Sequence, residues 1–173
     1  WDGWLAERYV LLDPSSGYLH TANSRIGYPN SDIISTSYIP PHRYTRIQEQ
    51  LDGQRYFTPE ELASLQLDQF DQEAATMIDD LLADVVPTTA DAARCFTLLD
   101  TWDFIWNTES VGATVWAVFR RELLRAALVD DITEAGFEKY LSIVSSSRSL
   151  ISYGLDYFQG EPTIEVDTAL DAT

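Results

Sequence analysis

The sequence predicts a mainly helical protein with a small extended part at its N-terminus, an α+β arrangement. Residues 8–13 (RYVLLD) and 17–22 (GYLHTA) are rich in β-branched and aromatic side chains, which predicts two strands. From residue 40 onward the apolar residues recur at helical spacing, and prolines, glycines and capping residues separate the segments. We therefore expect two regions, with strands and a loop in residues 1–40 and a helical array in residues 41–173.

The two predicted strands flank a turn. The letters DPSSG between them include Pro14 and Gly17, which favour a turn, so the strands form a hairpin or lie as neighbours. Because two strands alone are not stable in water, we expect them to need further strands to complete a sheet.

Two short helices are predicted next. The segment PPHRYTRIQEQLDG begins at a proline and ends at Gly53, which is the usual punctuation of a helix. In TPEELASLQL, Thr58 is a good N-cap, Pro59 occupies the first helical position, and Glu61 completes a capping box.

Longer amphipathic helices follow. The segments DQFDQEAATMIDDLLADV, TTADAARCFTLLDTW and SVGATVWAVFRRELLRAALV each place apolar residues on one face, and Pro87 ends the first of them. Two shorter helical stretches are predicted around residues 137–144 and 150–158. The predicted core consists of Phe70, Ala74, Met77, Ile78, Leu81, Leu82, Val85, Phe96, Leu99, Trp102, Val115, Trp116, Phe119, Leu123 and Ala127.

The charge of the chain excludes two classes of partner. Twenty-eight acidic residues against 11 basic ones give a net charge of −17, which repels nucleic acid and anionic membranes. No apolar run approaches the length of a membrane span. Lys139 is the only lysine, and an acidic surface with so little lysine suits a high-salt source. An arginine-biased genome explains the same composition equally well.

The basic residues form one cluster. Arg120, Arg121 and Arg125 lie on the long predicted helix. We interpret this cluster as a solvated face that pairs with nearby acids rather than as an anion site.

Common catalytic and cofactor signatures are absent from the sequence. Cys95 is the only cysteine and lies in an apolar helical run, so we expect a buried, inert thiol. His20 and His42 are too far apart for a zinc pair on one helix. There is no phosphate loop, dinucleotide fingerprint or HExxH segment, so no organic cofactor is expected.

The polar segment SGYLHTANSRIGYPNSDIISTSYIPPHR contains three candidate site residues. Asn23 could donate a hydrogen bond to a developing oxyanion, or it could be a turn residue with positive φ. Asp32 could be a ligand of a hard cation, or an exposed loop acid. Spacing alone favours the structural explanation for both. Arg43 lies just inside a helix, where a cation is unfavourable for the helix dipole, so a specific partner is indicated.

This segment resembles the penicillin amidase family of N-terminal nucleophile hydrolases. The likeness rests on Thr-Ala-Asn after a short predicted strand, then Tyr-Pro, a loop acid, Pro-Pro-His-Arg and Arg-Ile. Downstream, LASLQLDQFD with Gln66 and Asp68, LLDTWD, and SVGATVWAVFRREL resemble further family segments in the same order. The resemblance covers roughly residues 4–160.

The resemblance implies a concrete function. Members hydrolyse the amide of acylated amines, including penicillins, cephalosporins and acyl-homoserine lactones, which connects the family to antibiotic biosynthesis. The nucleophile is an N-terminal Ser whose α-amino group acts as the base. The resemblance assigns Asn23 to the oxyanion hole, Arg43 to organising the site and Asp32 to one ligand position of a structural calcium. The two strands would belong to the αββα core of the family.

Two departures limit this expectation. Ser24 stands where the family usually has a second Asn, and Trp1 cannot be an N-terminal nucleophile. We therefore expect an interior piece of the β-chain, inactive alone, whose partners are the α-chain, the rest of the β-chain and a small acyl amide. A periplasmic or extracellular location is implied by the resemblance. The alternative is a non-catalytic helical binding or scaffold domain.

Overall fold

The computed structural model describes residues 10–23, 40–54 and 56–144. This part of the chain contains the helices α1 (His42–Asp52), α2 (Pro59–Gln66), α3 (Gln72–Leu82), α4 (Ala90–Asp100) and α5 (Val111–Val144). Backbone contacts divide the chain into two compact units, Trp1–Asp68 and Gln69–Thr173. The predicted helical class is confirmed, while the predicted region boundary at residue 40 stays a prediction.

The prediction of two N-terminal strands is wrong for the residues that the structure describes. Residues 10–23 contain no strand, although the turn between the two segments forms through a 2.9 Å hydrogen bond from Gly17 N to Pro14 O. Leu12 and Leu19 remain 80% and 65% exposed. A strand is stable only when its backbone pairs with neighbouring strands, so an apolar, β-branched composition alone does not form one.

The helices of the first unit begin where the sequence predicts. α1 starts after Pro41 and ends before Gly53. The predicted capping box of α2 is present, because Glu61 N donates to Thr58 Oγ1 at 3.2 Å and Thr58 N donates to Glu61 Oε2 at 2.7 Å. The hydrogen bond from the Thr58 backbone N–H stabilises the charged Glu61 carboxylate and lowers the pKa of Glu61 below its usual value. Neither helix contains a fully buried residue.

α3 begins later than its apolar pattern suggests. Asp71 is the N-cap, and its Oδ1 accepts a 3.0 Å hydrogen bond from Ala74 N. Phe70, which the helical pattern includes, instead forms an isolated antiparallel bridge with Ile105. The bridge ties the start of α3 to the connection between α4 and α5, because Asp71 N donates to the Phe104 carbonyl at 2.8 Å.

The core of the second unit is built from α3, α4 and α5. Fully buried apolar side chains of these helices pack into one cluster, with half-buried aromatic residues around it. A packed cluster of this kind supplies most of the stability of an amphipathic helix array. The prediction of a core at these positions is largely confirmed, since the cluster contains Ala74, Ile78, Leu82, Leu99, Trp102, Val115, Trp116, Phe119 and Leu123.

Gly112 permits the close approach of α5 to Trp102. A Cβ atom at this position would lie 2.5 Å from Trp102 Cγ and 2.6 Å from Trp102 Cδ1. We expect Gly112→Ala to lower the free energy of unfolding by about 1–3 kcal/mol, because the indole is held in the core and cannot yield. Denaturant unfolding followed by circular dichroism measures this change.

Gly53→Ala is the matched control for that substitution. Gly53 has helical φ and ψ of −65° and −23°, and its nearest neighbour would be the Gln50 carbonyl oxygen at 3.4 Å. Alanine fits there, so stability should rise by about 0.4–1 kcal/mol. Equal effects of the two substitutions would contradict the steric role of Gly112.

α5 folds back on itself. Thr133 has φ 64° and ψ 164°, which interrupts the helical backbone. Arg125 Nη2 lies 2.7 Å from Glu134 Oε2, and Arg121 Nη2 lies 3.5 Å from Glu138 Oε1. Since 17 residues of straight helix would separate the second pair by about 25 Å, the two arms must run antiparallel. The helices predicted at residues 110–129 and 137–144 are therefore the two arms of a hairpin, and the helical stretch predicted around 150–158 lies outside the residues that the structure describes.

The interpretation of the basic cluster as a solvated, ion-paired face is correct for two of its three residues. Arg121 and Arg125 are on the surface and pair with acids of the second arm. Arg120 is only 8% exposed and pairs with the equally buried Glu73 at 3.6 Å, so for this residue the interpretation is wrong. In the described part of the chain, no helix is both long and apolar enough to cross a membrane.

The hairpin pair Arg125–Glu134 should make stability depend on pH. Hydrogen bonds from Arg125 hold the pKa of Glu134 below the usual 4.5. A carboxyl group whose pKa is lowered by folding stabilises the fold at pH values above its pKa in the unfolded chain. This contribution is lost as the pH falls through the lowered pKa. Denaturant unfolding at a series of pH values should therefore show wild type and Arg125→Gln differing at pH 7 and converging only when the pH falls below the lowered pKa of Glu134.

Arg94→Gln is the control, because Arg94 is exposed and forms no ion pair with any described residue. Its difference from wild type should not follow this pH window. High salt should shrink the Arg125→Gln effect, since both partners are exposed. An Arg125→Gln effect that is constant from neutral to acidic pH would contradict the pairing.

Candidate active site

Asn23 lies at the end of the described N-terminal segment. Its φ of 60° places it in the left-handed region, which asparagine tolerates better than most residues. Asn23 is exposed, whereas the preceding Ala22 is only 3% exposed. The backbone fits the turn role that the sequence left open, and the exposed residue is accessible to another molecule. Its role in an oxyanion hole stays a prediction.

Arg43 is the second residue of α1 and is exposed. The N-cap of α1 is Pro41, which provides no side-chain cap, and the first turn contains no acid. No hydrogen bond or ion pair joins Arg43 to the other residues that the structure describes. A cation at this end of a helix is unfavourable for the dipole, so α1 itself does not account for Arg43.

The segment before Asn23 contacts both ends of α1. The Tyr18 hydroxyl donates to Asp52 Oδ1 at the last residue of the helix. The His20 ring stacks on the Tyr44 ring near its first residue, with centroids 4.1 Å apart and planes tilted by 31°. The segment therefore runs antiparallel to α1, towards the end that carries Arg43.

The Tyr18–Asp52 contact has an electrostatic consequence. Asp52 accepts the phenolic proton in a hydrogen bond, which stabilises the neutral tyrosine and raises the pKa of Tyr18 to about 12. The hydrogen bond attaches the segment to the last residue of α1.

Asp32 lies outside the residues that the structure describes. The described residues contain no cluster of three or more His, Cys, Asp or Glu side chains able to hold a metal ion. Calcium therefore remains an expectation from the resemblance.

Asp68, one of the residues in the family-like sequence pattern, forms an ion pair within the first unit. Arg46 Nε donates to Asp68 Oδ2 at 2.6 Å, and Arg46 Nη2 donates to Asp68 Oδ1 at 3.3 Å. This forked geometry is the strongest form of such a pair. It lies beside an open groove of about 580 Å³ whose lining includes Glu49, Glu60, Glu61, Asp68, Phe57 and Leu65.

The sequence did not predict the roles of Tyr18, His20 and Tyr44. The spacing of His20 and His42 excludes a zinc pair on one helix and predicts no other role for His20, and Tyr18 and Tyr44 contribute only to the composition of predicted elements. The alternation of Tyr18 and His20 was a usable signal, since residues two apart on an extended segment point to the same side. Their common partner, α1, could not be identified from spacing.

The structure defines a helical protein with two exposed candidate side chains, the amide of Asn23 and the guanidinium of Arg43. Both belong to the first compact unit. The model of the penicillin amidase family matches residues 1–168. The chain therefore belongs to the penicillin amidase family, and it is a hydrolase-type polypeptide. No curated protein matches it significantly.

Proposed function

We propose that this chain takes part in hydrolysing the amide bond of an N-acylated amine, together with an N-terminal Ser nucleophile located outside these 173 residues. The observation that carries the proposal is the family match over residues 1–168, which includes all three candidate residues. The substrate class is a penicillin- or cephalosporin-like amide or an acyl-homoserine lactone. Its partners are the other segments of the same enzyme.

Asn23 is the proposed side-chain donor of the oxyanion hole. When the nucleophile attacks the amide carbonyl, the carbonyl oxygen gains negative charge, and the NH₂ group of an asparagine can donate to it. One such donor lowers the barrier by roughly 3–4 kcal/mol. The exposure of Asn23 supports this role, because the amide must meet a substrate.

Arg43 is the proposed organiser of that amide. Asparagine has a carbonyl oxygen opposite its NH₂ group, and a guanidinium that donates to the oxygen would fix the direction of the NH₂ group. Two features support the proposal. Arg43 forms no ion pair with any described residue, and the segment that carries Asn23 runs towards its end of α1.

The nucleophile and base come from the other segment of the enzyme. The α-amino group of an N-terminal residue has a pKa near 8, so a large fraction is neutral at physiological pH and can accept the hydroxyl proton of its own Ser. The described part of this chain supplies hydrogen bonds and helical walls around that reaction.

We further propose Asp32 as one carboxylate ligand of a structural calcium whose other ligands come from elsewhere in the enzyme. Calcium prefers six to eight oxygen ligands, so one carboxylate binds it weakly. Calorimetric titration of the complete enzyme with calcium tests this, and Asp32→Ala should weaken the binding. A periplasmic or extracellular location is part of the same proposal.

Complementation is the experiment that tests the function. The chain is produced alone and together with the segment that provides the N-terminal Ser, and hydrolysis of phenylacetyl and long-acyl amides is assayed. We expect no activity from the chain alone and activity from the combination. Replacement of the N-terminal Ser by Ala is the control and should abolish the activity.

A combination that folds but hydrolyses neither type of amide would contradict the proposal. That result would favour a helical binding or scaffold role, in which the packed second unit carries the function and Asn23 does not. Binding of acyl amides without turnover would distinguish this alternative from simple misassembly.

A further inference from the structure

His20 has a distinctive environment in the first unit. Its ring contacts two tyrosine rings, with centroids 5.6 Å from Tyr18 and 4.1 Å from Tyr44. Its Nε2 atom is buried and has no hydrogen-bond partner in the described residues. Burying a polar atom without a partner is unfavourable, so the ring must be retained there by its stacking contacts.

The stack determines where the neighbouring chain lies. Tyr44 belongs to the first turn of α1 and directly follows Arg43, while His20 precedes Asn23 by three residues. Three residues of extended chain span at most about 11 Å. The His20–Tyr44 contact therefore limits how far Asn23 can move from the N-terminal end of α1.

A second contact prevents the segment from sliding along the helix. The Tyr18 hydroxyl is bound to Asp52 at the opposite end of α1. With both ends attached, the direction of the segment is set, and buried Ala22 anchors the residue next to Asn23. Asn23 is thus placed by contacts of its neighbours rather than by its own packing.

We propose that His20 is a positioning residue for Asn23, acting through its stack on Tyr44. The inference rests on the proposed oxyanion role of Asn23. Rate acceleration by a hydrogen-bond donor depends on its position, and a misplacement of about 1 Å can reduce the rate about 100-fold. His20 touches neither substrate nor nucleophile in this proposal.

The test compares His20→Ala with His20→Phe in the complete enzyme. Phenylalanine keeps a flat ring of similar size for the stack, whereas alanine removes it. We expect His20→Ala to lower kcat roughly 10- to 100-fold with little change in KM, and His20→Phe to retain most of kcat. Equal losses in both variants, or a loss confined to KM, would overturn the proposal.

A double substitution tests whether His20 acts through Asn23. Once the amide is absent, its position no longer matters, so Asn23→Ala combined with His20→Ala should be no slower than Asn23→Ala alone. Additive losses would overturn the proposal. Tyr44→Ala and Tyr44→Phe repeat the comparison from the α1 side if His20→Ala does not fold.

A structural measurement separates failure of this inference from failure of the proposed function. The side-chain amide resonances of Asn23 in NMR spectra should shift or broaden in His20→Ala and remain near wild type in His20→Phe. If Asn23→Ala leaves kcat unchanged, the oxyanion role fails, yet these resonances still test the positioning. Unchanged Asn23 resonances in His20→Ala would refute the positioning even if Asn23 proves essential.

Discussion

Replacing Arg120 by methionine is expected to lower the free energy of unfolding by about 3–5 kcal/mol. Arg120 Nη1 lies 3.6 Å from Glu73 Oε2, and the two side chains are only 10% and 9% exposed. The guanidinium also lies over the Trp106 ring, 5.6 Å from its centroid. Without Arg120, the Glu73 carboxylate stays in the core with its opposite charge removed, and burial of such a charge is strongly unfavourable.

The loss should extend beyond the pair itself. Trp106 Nε1 donates to Asp71 Oδ2 at 2.6 Å, and Asp71 is the N-cap of α3. Glu73 lies in the first turn of the same helix. Arg120 of α5 therefore stabilises the start of α3 both directly and through the indole, which makes it a link between two helices of the core.

Two further variants decide whether the buried charge is the cause. Arg121→Met changes the adjacent residue, whose side chain is 51% exposed, and should cost at most about 1 kcal/mol. Glu73→Leu combined with Arg120→Met replaces both charges by apolar groups and should recover most of the stability. Denaturant unfolding measures all three, and a double variant as unstable as Arg120→Met alone would refute this explanation.

Replacing Asn23 by alanine in the complete enzyme is expected to reduce kcat by roughly 10²–10³-fold with little change in KM. The amide would act on the charge that develops in the transition state and contribute little to binding the ground state. Steady-state hydrolysis of an acyl amide measures both constants.

The backbone of Asn23 requires a careful control. Its φ of 60° is unfavourable for alanine by about 1–2 kcal/mol, so lost activity could reflect a distorted turn rather than a missing amide. Glycine adopts this conformation without strain and also lacks the amide. Asn23→Gly should therefore be as slow as Asn23→Ala. An active Asn23→Gly variant would mean that Asn23 is a turn residue, which is the alternative that the sequence left open.

Local chemistry explains why several helices could be predicted from the sequence. The capping box of Thr58 and Glu61 involves residues three apart, and both of its hydrogen bonds form as predicted. The apolar spacing that placed Leu99, Trp116 and Phe119 in the core is also a property of single helices. Such features depend on neighbours along the chain, so the sequence contains them in full.

The prediction of two strands was wrong because strands depend on distant parts of the chain. Their composition suits a sheet, but a strand forms only when another strand supplies hydrogen bonds, and residues 10–23 have no such neighbour among the described residues. The sequence does not predict the burial of Arg120, because Arg120 differs from its exposed neighbour Arg121 only in a tertiary contact, the ion pair with Glu73 of α3. The chain reversal has its positive φ at Thr133, which is neither glycine nor asparagine, so the sequence does not indicate a turn at this residue.

The same distinction between local sequence and tertiary contacts applies to the candidate site. The residue types and their order, Asn23 before Asp32 before Arg43, are properties of the sequence, and so is the resemblance that the family match confirms. Only the tertiary structure decided that His20 stacks on Tyr44, that Tyr18 binds Asp52 and that the segment runs antiparallel to α1. Contacts between residues 24 and 34 positions apart depend on how the intervening chain folds, and no local pattern encodes that path.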